Sequence, residues 1–148
     1  MLRVDPKINA IGLVLLTLIV GSLASSNTGT DSWYQGLVKS ELNPPGYVFG
    51  IVWPILYLLM GITIWRTYNT IKNLFYVQLF FNAIWSWLFF SFHLPLISLF
   101  DIWLLIFINI KILLILLKQD KFAAFLYAPY IVWLFFASYL NLFIVINN

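Results

Sequence analysis

The chain has 148 residues, of which 63% are hydrophobic and 9% are charged. Soluble domains carry about 25% charged residues to keep their surfaces hydrated, so the composition excludes an ordinary soluble protein and predicts one membrane domain. Disulfides and thiolate chemistry are excluded because cysteine is absent, and the single histidine excludes a multi-histidine metal site.

Hydropathy predicts an all-α fold, an integral membrane bundle of five transmembrane helices in a single domain, residues 1–148. A bilayer core about 30 Å thick requires about 20 apolar residues in helical form. The charge-free run after residue 73 is too long for one span, and we divide it at His93-Leu94-Pro95 because proline disfavours helix at the residue before it. The predicted helices cover about residues 8–27, 47–66, 73–92, 96–117 and 122–146.

The first predicted helix has a second interpretation. Arg3 and Lys7 precede an apolar stretch that ends in small residues at 22–25. This is also the pattern of a signal peptide with its cleavage site. The rest of the topology is predicted to be the same under either interpretation.

The basic residues predict the orientation of the bundle and explain a sequence pI near 9.2 without nucleic acid binding. Six of them flank one set of predicted helix ends: Arg3, Lys7, Arg66, Lys72, Lys118 and Lys121. By the positive-inside rule, the N-terminus is predicted inside, and the outer loop of residues 25–46 and the C-terminus outside. Lys111 lies within a span, near enough to the inner end for its amino group to reach the interface.

Three predicted helices carry stripes that combine aromatic rings with small or polar side chains. At helical spacing they are Gly50, Trp53 and Tyr57 on the second helix, Gln78, Asn82, Trp85 and Phe89 on the third, and Tyr130, Trp133, Ala137 and Asn141 on the fifth. Such inward faces are typical of a ligand pocket. They are also typical of close packing between membrane helices, and the residues alone leave both interpretations open.

Two titratable residues invite functional interpretations. Asp101 lies near the start of the fourth predicted helix, where the helix dipole stabilises a negative charge. This structural role fits its position at least as well as a role in proton chemistry. His93 is a haem ligand in principle, but its turn position is typical of an ordinary loop histidine. We predict no metal site and no catalytic residue.

Several strings together resemble the TspO/MBR family, the tryptophan-rich sensory proteins and translocator proteins. They are Trp33-Tyr34, the run from Asn43-Pro44-Pro45-Gly46 to Trp53, Leu56-Tyr57, Gln78-Leu79, Asn82 with Trp85 and Phe89-Phe90, Pro129-Tyr130, Trp133, Phe136-Ala137 and Tyr139-Leu140-Asn141. The resemblance covers nearly the whole chain in the same order and spacing.

The resemblance implies a homodimeric five-helix bundle that binds porphyrins such as haem or protoporphyrin as ligands rather than as obligatory cofactors. It implies a pocket lined by Trp53 and Trp133 with Tyr57, Asn82, Ala137 and Leu140 beside them. The third-helix stripe adds Trp85 and Phe89 to the expected ligand-binding residues. The outer loop would close over the pocket with Trp33, Tyr34, Asn43, Pro44 and Pro45.

We therefore expect a membrane receptor or carrier of porphyrins and similar hydrophobic ligands, acting in tetrapyrrole or stress regulation. The alternatives are a light-dependent porphyrin-degrading enzyme and a subunit of a small-solute transporter. The chain departs from the family at Ser86-Trp87, where many members have proline after the third-helix tryptophan. No basic residue follows Tyr139, so the sterol motif of the family is incomplete.

Overall fold

The structure, a computed structural model, describes residues 3–148. Its helices are α1 (Pro6–Ser25), the single turn α2 (Ser32–Gln35), α3 (Gly46–Ser86), α4 (Pro95–Gln119) and α5 (Lys121–Asn147), with a π-helical segment at Trp87–Ser91. Residues 3–148 contain no β-strand. The predicted all-α class is confirmed.

Four helices are long and apolar enough to cross a membrane: α1, α3 with its π-helical extension, α4 and α5. Their outer faces expose large apolar side chains, such as Phe125 at 74% and Val132 at 68% of full exposure. Amide side chains such as Gln78 and Asn109 are fully buried instead. Apolar groups outside and polar groups inside identify an integral membrane protein, because lipid offers no hydrogen bonds.

The connection predicted between the second and third helices is not a loop. Residues 67–72 lack glycine and proline and stay helical within α3, where Thr67 alone has non-helical angles (φ −128°, ψ 23°). In a straight helix, two residues 25 positions apart would lie about 37 Å from each other. Instead, the Tyr57 hydroxyl donates a hydrogen bond to Asn82 Oδ1. Helix α3 therefore doubles back near Thr67, and its arms, residues 46–66 and 68–86, lie side by side.

The predicted break at residues 93–95 is confirmed. His93 adopts a left-handed conformation with φ 56°, and α4 starts at Pro95, whose missing N–H costs nothing in a first helical turn. The last two helices meet at Asp120, which caps α5 by accepting a hydrogen bond from Ala123 N at 3.2 Å.

Side-chain contacts define the two ends of the bundle. At the loop end, residues 26–45 contact the turn before α4 through Asp31 Oδ2 and His93 Nε2, 3.2 Å apart. At the basic end, Arg66 forms two hydrogen bonds with the Asp120 carboxylate, at 3.0 and 3.2 Å. Lys7 Nζ lies 5.6 Å from the centre of the Trp65 ring, which places the start of α1 at the basic end too.

Helix α1 is packed into the bundle along both arms of α3. A Cβ atom on Gly21 would lie 3.5 Å from Ser86 Oγ in the second arm. The Trp87 indole N–H, just after that arm, donates to the Val20 carbonyl at 3.1 Å. A Cβ atom on Gly61 would lie 3.4 Å from Ile11, so the helices approach closely there. Cleavage near residues 22–25, as in the signal-peptide interpretation, would remove one wall of the cavity described next.

Candidate ligand-binding cavity

A cavity of about 720 Å³ lies between α1, both arms of α3, α4, α5 and the loop of residues 26–45. Its volume is within the range of about 300–1,000 Å³ that is usual for small-molecule sites. All eight residues predicted to bind a ligand lie on its wall: Trp53, Tyr57, Asn82, Trp85, Phe89, Trp133, Ala137 and Leu140. The sequence stripes thus converge on one space, although ligand binding by these residues stays a prediction.

Aromatic rings form the middle of the cavity wall. The Trp53 and Trp133 rings meet edge to face, with centroids 6.2 Å apart and planes at 86°. On the same cavity wall, Trp85 and Phe89 stack at 5.5 Å with nearly parallel planes. Ala137 also lines the cavity, and its small side chain leaves space that a larger one would fill. The wall therefore offers flat apolar faces to a flat apolar ligand.

A buried chain of hydrogen bonds closes the cavity on the side toward the basic end. Asn82 accepts a hydrogen bond from Tyr57 and donates one to the Tyr130 hydroxyl at 2.7 Å. Tyr130 donates to Gln78 Oε1 at 2.8 Å, and Gln78 accepts a second hydrogen bond from Asn109 at 3.3 Å. These contacts join three helices. Gln78 and Tyr130 are the two stripe residues that lie in this network away from the wall, and the other stripe residues line the cavity.

A second set of hydrogen bonds fixes the wall nearer the loop end. Asn141 accepts hydrogen bonds from the Trp85 indole at 3.1 Å and from the Ser98 hydroxyl at 3.0 Å. Its amide nitrogen donates to the Pro95 carbonyl at 2.9 Å. The Asn141 side chain of α5 therefore links α3 and α4, and the Trp85 ring is held in place before any ligand binds.

The loop of residues 26–45 borders the cavity, and its closure over a ligand stays a prediction. Tyr34, Asn43, Pro44 and Pro45 lie on the cavity wall. Trp33 is not on the wall but stacks on the His93 ring at 4.2 Å and touches the edge of Phe89 at 5.8 Å. Asp31 caps α2 by accepting a hydrogen bond from Trp33 N at 3.0 Å. Trp33 and Asp31 therefore both fasten the loop to His93.

Further contacts fasten the other end of the loop to α5. Ser40 and Tyr139 share a hydrogen bond of 2.9 Å between their hydroxyls. The Asn148 side chain accepts a hydrogen bond from Val38 N at 2.9 Å and donates one to Val38 O at 3.0 Å. The loop is therefore held at both ends over the cavity.

Burial changes the acidity of two loop side chains. It raises the pKa of the Tyr34 phenol, an effect that a hydrogen bond with Asn43 partly offsets. Burial also lowers the pKa of the Lys39 amino group. Lys39 lies on the cavity wall, with Nζ 4.5 Å from the centre of the Tyr34 ring.

Two buried polar atoms have no hydrogen-bond partner among residues 3–148: Trp133 Nε1 and Asp101 Oδ2. Because α4 begins at Pro95, Asp101 lies in its second turn and is not the N-cap. The free Trp133 N–H belongs to a residue of the cavity wall.

Sequence reasoning missed two parts of the wall. The inner face of α1 contributes Leu18, Gly21, Ser22 and Ser25. The run of small residues that resembled a cleavage site was the signal that could have found it. Lys39 was not among the predicted ligand-binding residues, although Tyr34 and Asn43 in the same loop were both assigned to the cover of the cavity.

These observations define a class, a small helical membrane protein with an aromatic-lined cavity under a loop at one end. The chain belongs to the TspO/MBR family, whose model matches residues 10–146. It is 39% identical over 137 residues to the tryptophan-rich protein TspO of Chlorobaculum tepidum, covering 85% of this chain and 87% of that protein. It is 33% identical over 144 residues to the TspO protein of Archaeoglobus fulgidus, covering 91% and 94%. The translocator protein of Sus scrofa is 30% identical over 148 residues, covering 92% and 88%.

Proposed function

We propose that the protein is a membrane receptor or carrier that binds a porphyrin or a similar flat hydrophobic ligand in this cavity. The observation that carries the proposal is a single cavity whose wall contains both the Trp53–Trp133 pair and the Trp85–Phe89 stack. A conjugated macrocycle would bury both of its faces against these rings, at about 25 cal/mol per Å² of apolar surface. The space left at Ala137 is where the macrocycle would lie.

Filling that space tests the proposal directly. Bound protoporphyrin should quench tryptophan fluorescence saturably in the wild type, and Ala137→Phe should abolish the quenching because the new ring occupies the cavity. Val132→Phe is the matched control, since Val132 lies on the lipid-facing side of the same helix. If Ala137→Phe binds protoporphyrin as the wild type does, α5 does not line the site.

We also propose that the chain crosses the membrane five times, with the basic end inside. Both arms of α3 would span separately, because α3 doubles back near Thr67. The chain has no cysteine, so one introduced cysteine is the only site that a thiol reagent can label. A cysteine at exposed Asn27 should label from outside only, and one at exposed Lys118 from inside only. Labelling of both positions from one side would contradict this topology.

The homodimer implied by the family resemblance is part of the same proposal. Without a hydrophobic drive between helices in lipid, two copies would associate through close packing of their outer faces. The mass of the protein in nanodiscs at low protein density decides this point, and a monomeric mass would contradict the dimer.

The contact between Trp53 and Trp133 favours one alternative function, light-dependent oxidation of bound porphyrin by dioxygen. Two adjacent indoles on the cavity wall are side chains that can exchange electrons with an excited macrocycle. Under light and air, the absorbance of bound protoporphyrin should then decay faster in the wild type than in Trp53→Phe at equal occupancy. Equal decay rates in the two proteins would contradict the enzyme and leave porphyrin binding as the proposed function.

A further inference from the structure

The charge of the cavity wall is confined to one residue. Among the described residues that line the cavity, Lys39 is the one with a charged side chain. No aspartate or glutamate pairs with Lys39 in residues 3–148, where the ion pairs are Arg66–Asp120 and Asp31–His93. The Lys39 ammonium has only weak partners, the Leu37 carbonyl at 3.5 Å and the Tyr34 ring. A half-buried cation without a counter-ion is ready to bind an anion.

Polar side chains line the same end of the cavity as this lysine. The loop-end wall carries hydroxyl and amide side chains from α1 and the loop: Ser22, Ser25, Thr28, Gln35 and Asn43. Such groups can hydrogen-bond to an anion and to the water around it. The rest of the wall is mainly aromatic and apolar, and its polar side chains include Tyr57, Asn82 and Asn141, which are already hydrogen-bonded within the protein.

A continuous path of rings runs from Lys39 to the aromatic part of the wall. The Lys39 ammonium lies 4.5 Å from the Tyr34 ring, and Tyr34 lies 5.6 Å from Phe90. Phe90 in turn lies 5.8 Å from Trp85, which stacks on Phe89. A ligand whose flat body packs on Trp85 and Phe89 can therefore carry an acidic group along this path to Lys39.

We propose that Lys39 binds the carboxylate of the ligand, so that the cavity selects flat aromatic acids over their neutral esters. This inference rests on the proposed function. It adds the charge of the ligand and which end of the ligand faces the loop. The apolar body enters first, and the carboxylate stays at the loop end beside Lys39. An acid then gains a charge-assisted hydrogen bond that an ester cannot form, and both gain the same aromatic contacts.

The test compares protoporphyrin IX with its dimethyl ester, titrated by tryptophan quenching in nanodiscs of zwitterionic lipid. The wild type should bind the acid about tenfold more tightly, the scale of one hydrogen bond to a charged group. Lys39→Met should lose this preference by weakening the acid alone, and Lys39→Arg should keep it. Lys111→Met is the matched control, because Lys111 also lies over a ring, that of Phe107 at 4.6 Å, but is absent from the cavity wall.

The outcomes separate this inference from the proposed function. If the wild type binds acid and ester equally, or if Lys39→Met weakens both alike, the inference is wrong and porphyrin binding stands. If the wild type binds neither compound, the proposed function itself fails. A preference for the acid that survives in Lys39→Met would also overturn the role of Lys39.

Discussion

The part of the bundle below the cavity pairs its polar side chains more completely than the cavity wall does. Below the cavity, Gln78, Asn109, Tyr127 and Tyr130 are fully buried and hydrogen-bonded to one another. Beside the cavity, the Trp133 N–H has no partner among residues 3–148. Polar groups that satisfy one another hold membrane helices together, whereas polar groups left free on a cavity wall are available to a ligand. The part below the cavity therefore serves stability, and the cavity wall serves recognition.

Removing a buried ring from the hydrogen-bonded part below the cavity should produce the largest loss of stability. Tyr130→Ala removes a fully buried ring and leaves Asn82 without one of its hydrogen-bond partners. The free energy of unfolding, measured by SDS titration in mixed micelles, should fall by about 3–5 kcal/mol, the usual cost of deleting a buried ring. Tyr139→Ala is the control, because Tyr139 is 41% exposed and its hydroxyl bonds a loop residue, Ser40, rather than another helix. Equal losses in the two variants would refute this division.

Removing a ring from the cavity wall should change affinity more than stability. Trp133→Ala deletes one flat wall of the cavity but breaks no hydrogen bond among the described residues. Its dissociation constant for protoporphyrin should rise by a factor that corresponds to about 1–3 kcal/mol. Trp65→Ala provides the comparison, since Trp65 lies beside Lys7 at the basic end. A Trp65 variant that lost as much affinity would show that the effect is not local.

The smallest effect is expected at the junction between the loop and the bundle. Asp31→Asn keeps an acceptor that can cap α2 but removes the charge facing His93. An exposed ion pair contributes less than about 1 kcal/mol, so the equilibrium affinity should change little. The association and dissociation rates of protoporphyrin should both rise because the cover opens more often, and stopped-flow quenching measures them. Asp5→Asn, which alters the cap of α1 at the other end, should leave both rates unchanged.

The sequence predicted the helical class and most helix boundaries because hydropathy and proline act locally. The break before Pro95 follows from backbone sterics alone. The reversal near Thr67 could not be placed in the same way, since no glycine or proline marks it. Contacts between distant residues make the chain double back there, such as the one between Tyr57 and Asn82.

The candidate site was predictable as a set of inward faces but not as a cavity. Helical periodicity puts Gln78 and Asn82 on one stripe, and Trp133 and Ala137 on another. It cannot show that Gln78 is buried in the hydrogen-bonded part while Asn82 reaches the cavity wall, because depth depends on the neighbouring helices. The role of Lys39 depends on the same three-dimensional information, since its loop has no periodicity.

The π-helical segment at residues 87–91 has a genetic consequence. Its backbone hydrogen bonds join residues five positions apart instead of four, as in the 2.8 Å bond from Phe92 N to Trp87 O. Such a segment accommodates one extra residue in a wider helical turn, so deleting a single codon there should restore an α-helix while the residues after it keep their direction. Because α4 restarts independently at Pro95, the later spans would also keep their register. A one-codon deletion here should therefore leave both the contacts of His93 with the loop and the frame of the bundle intact.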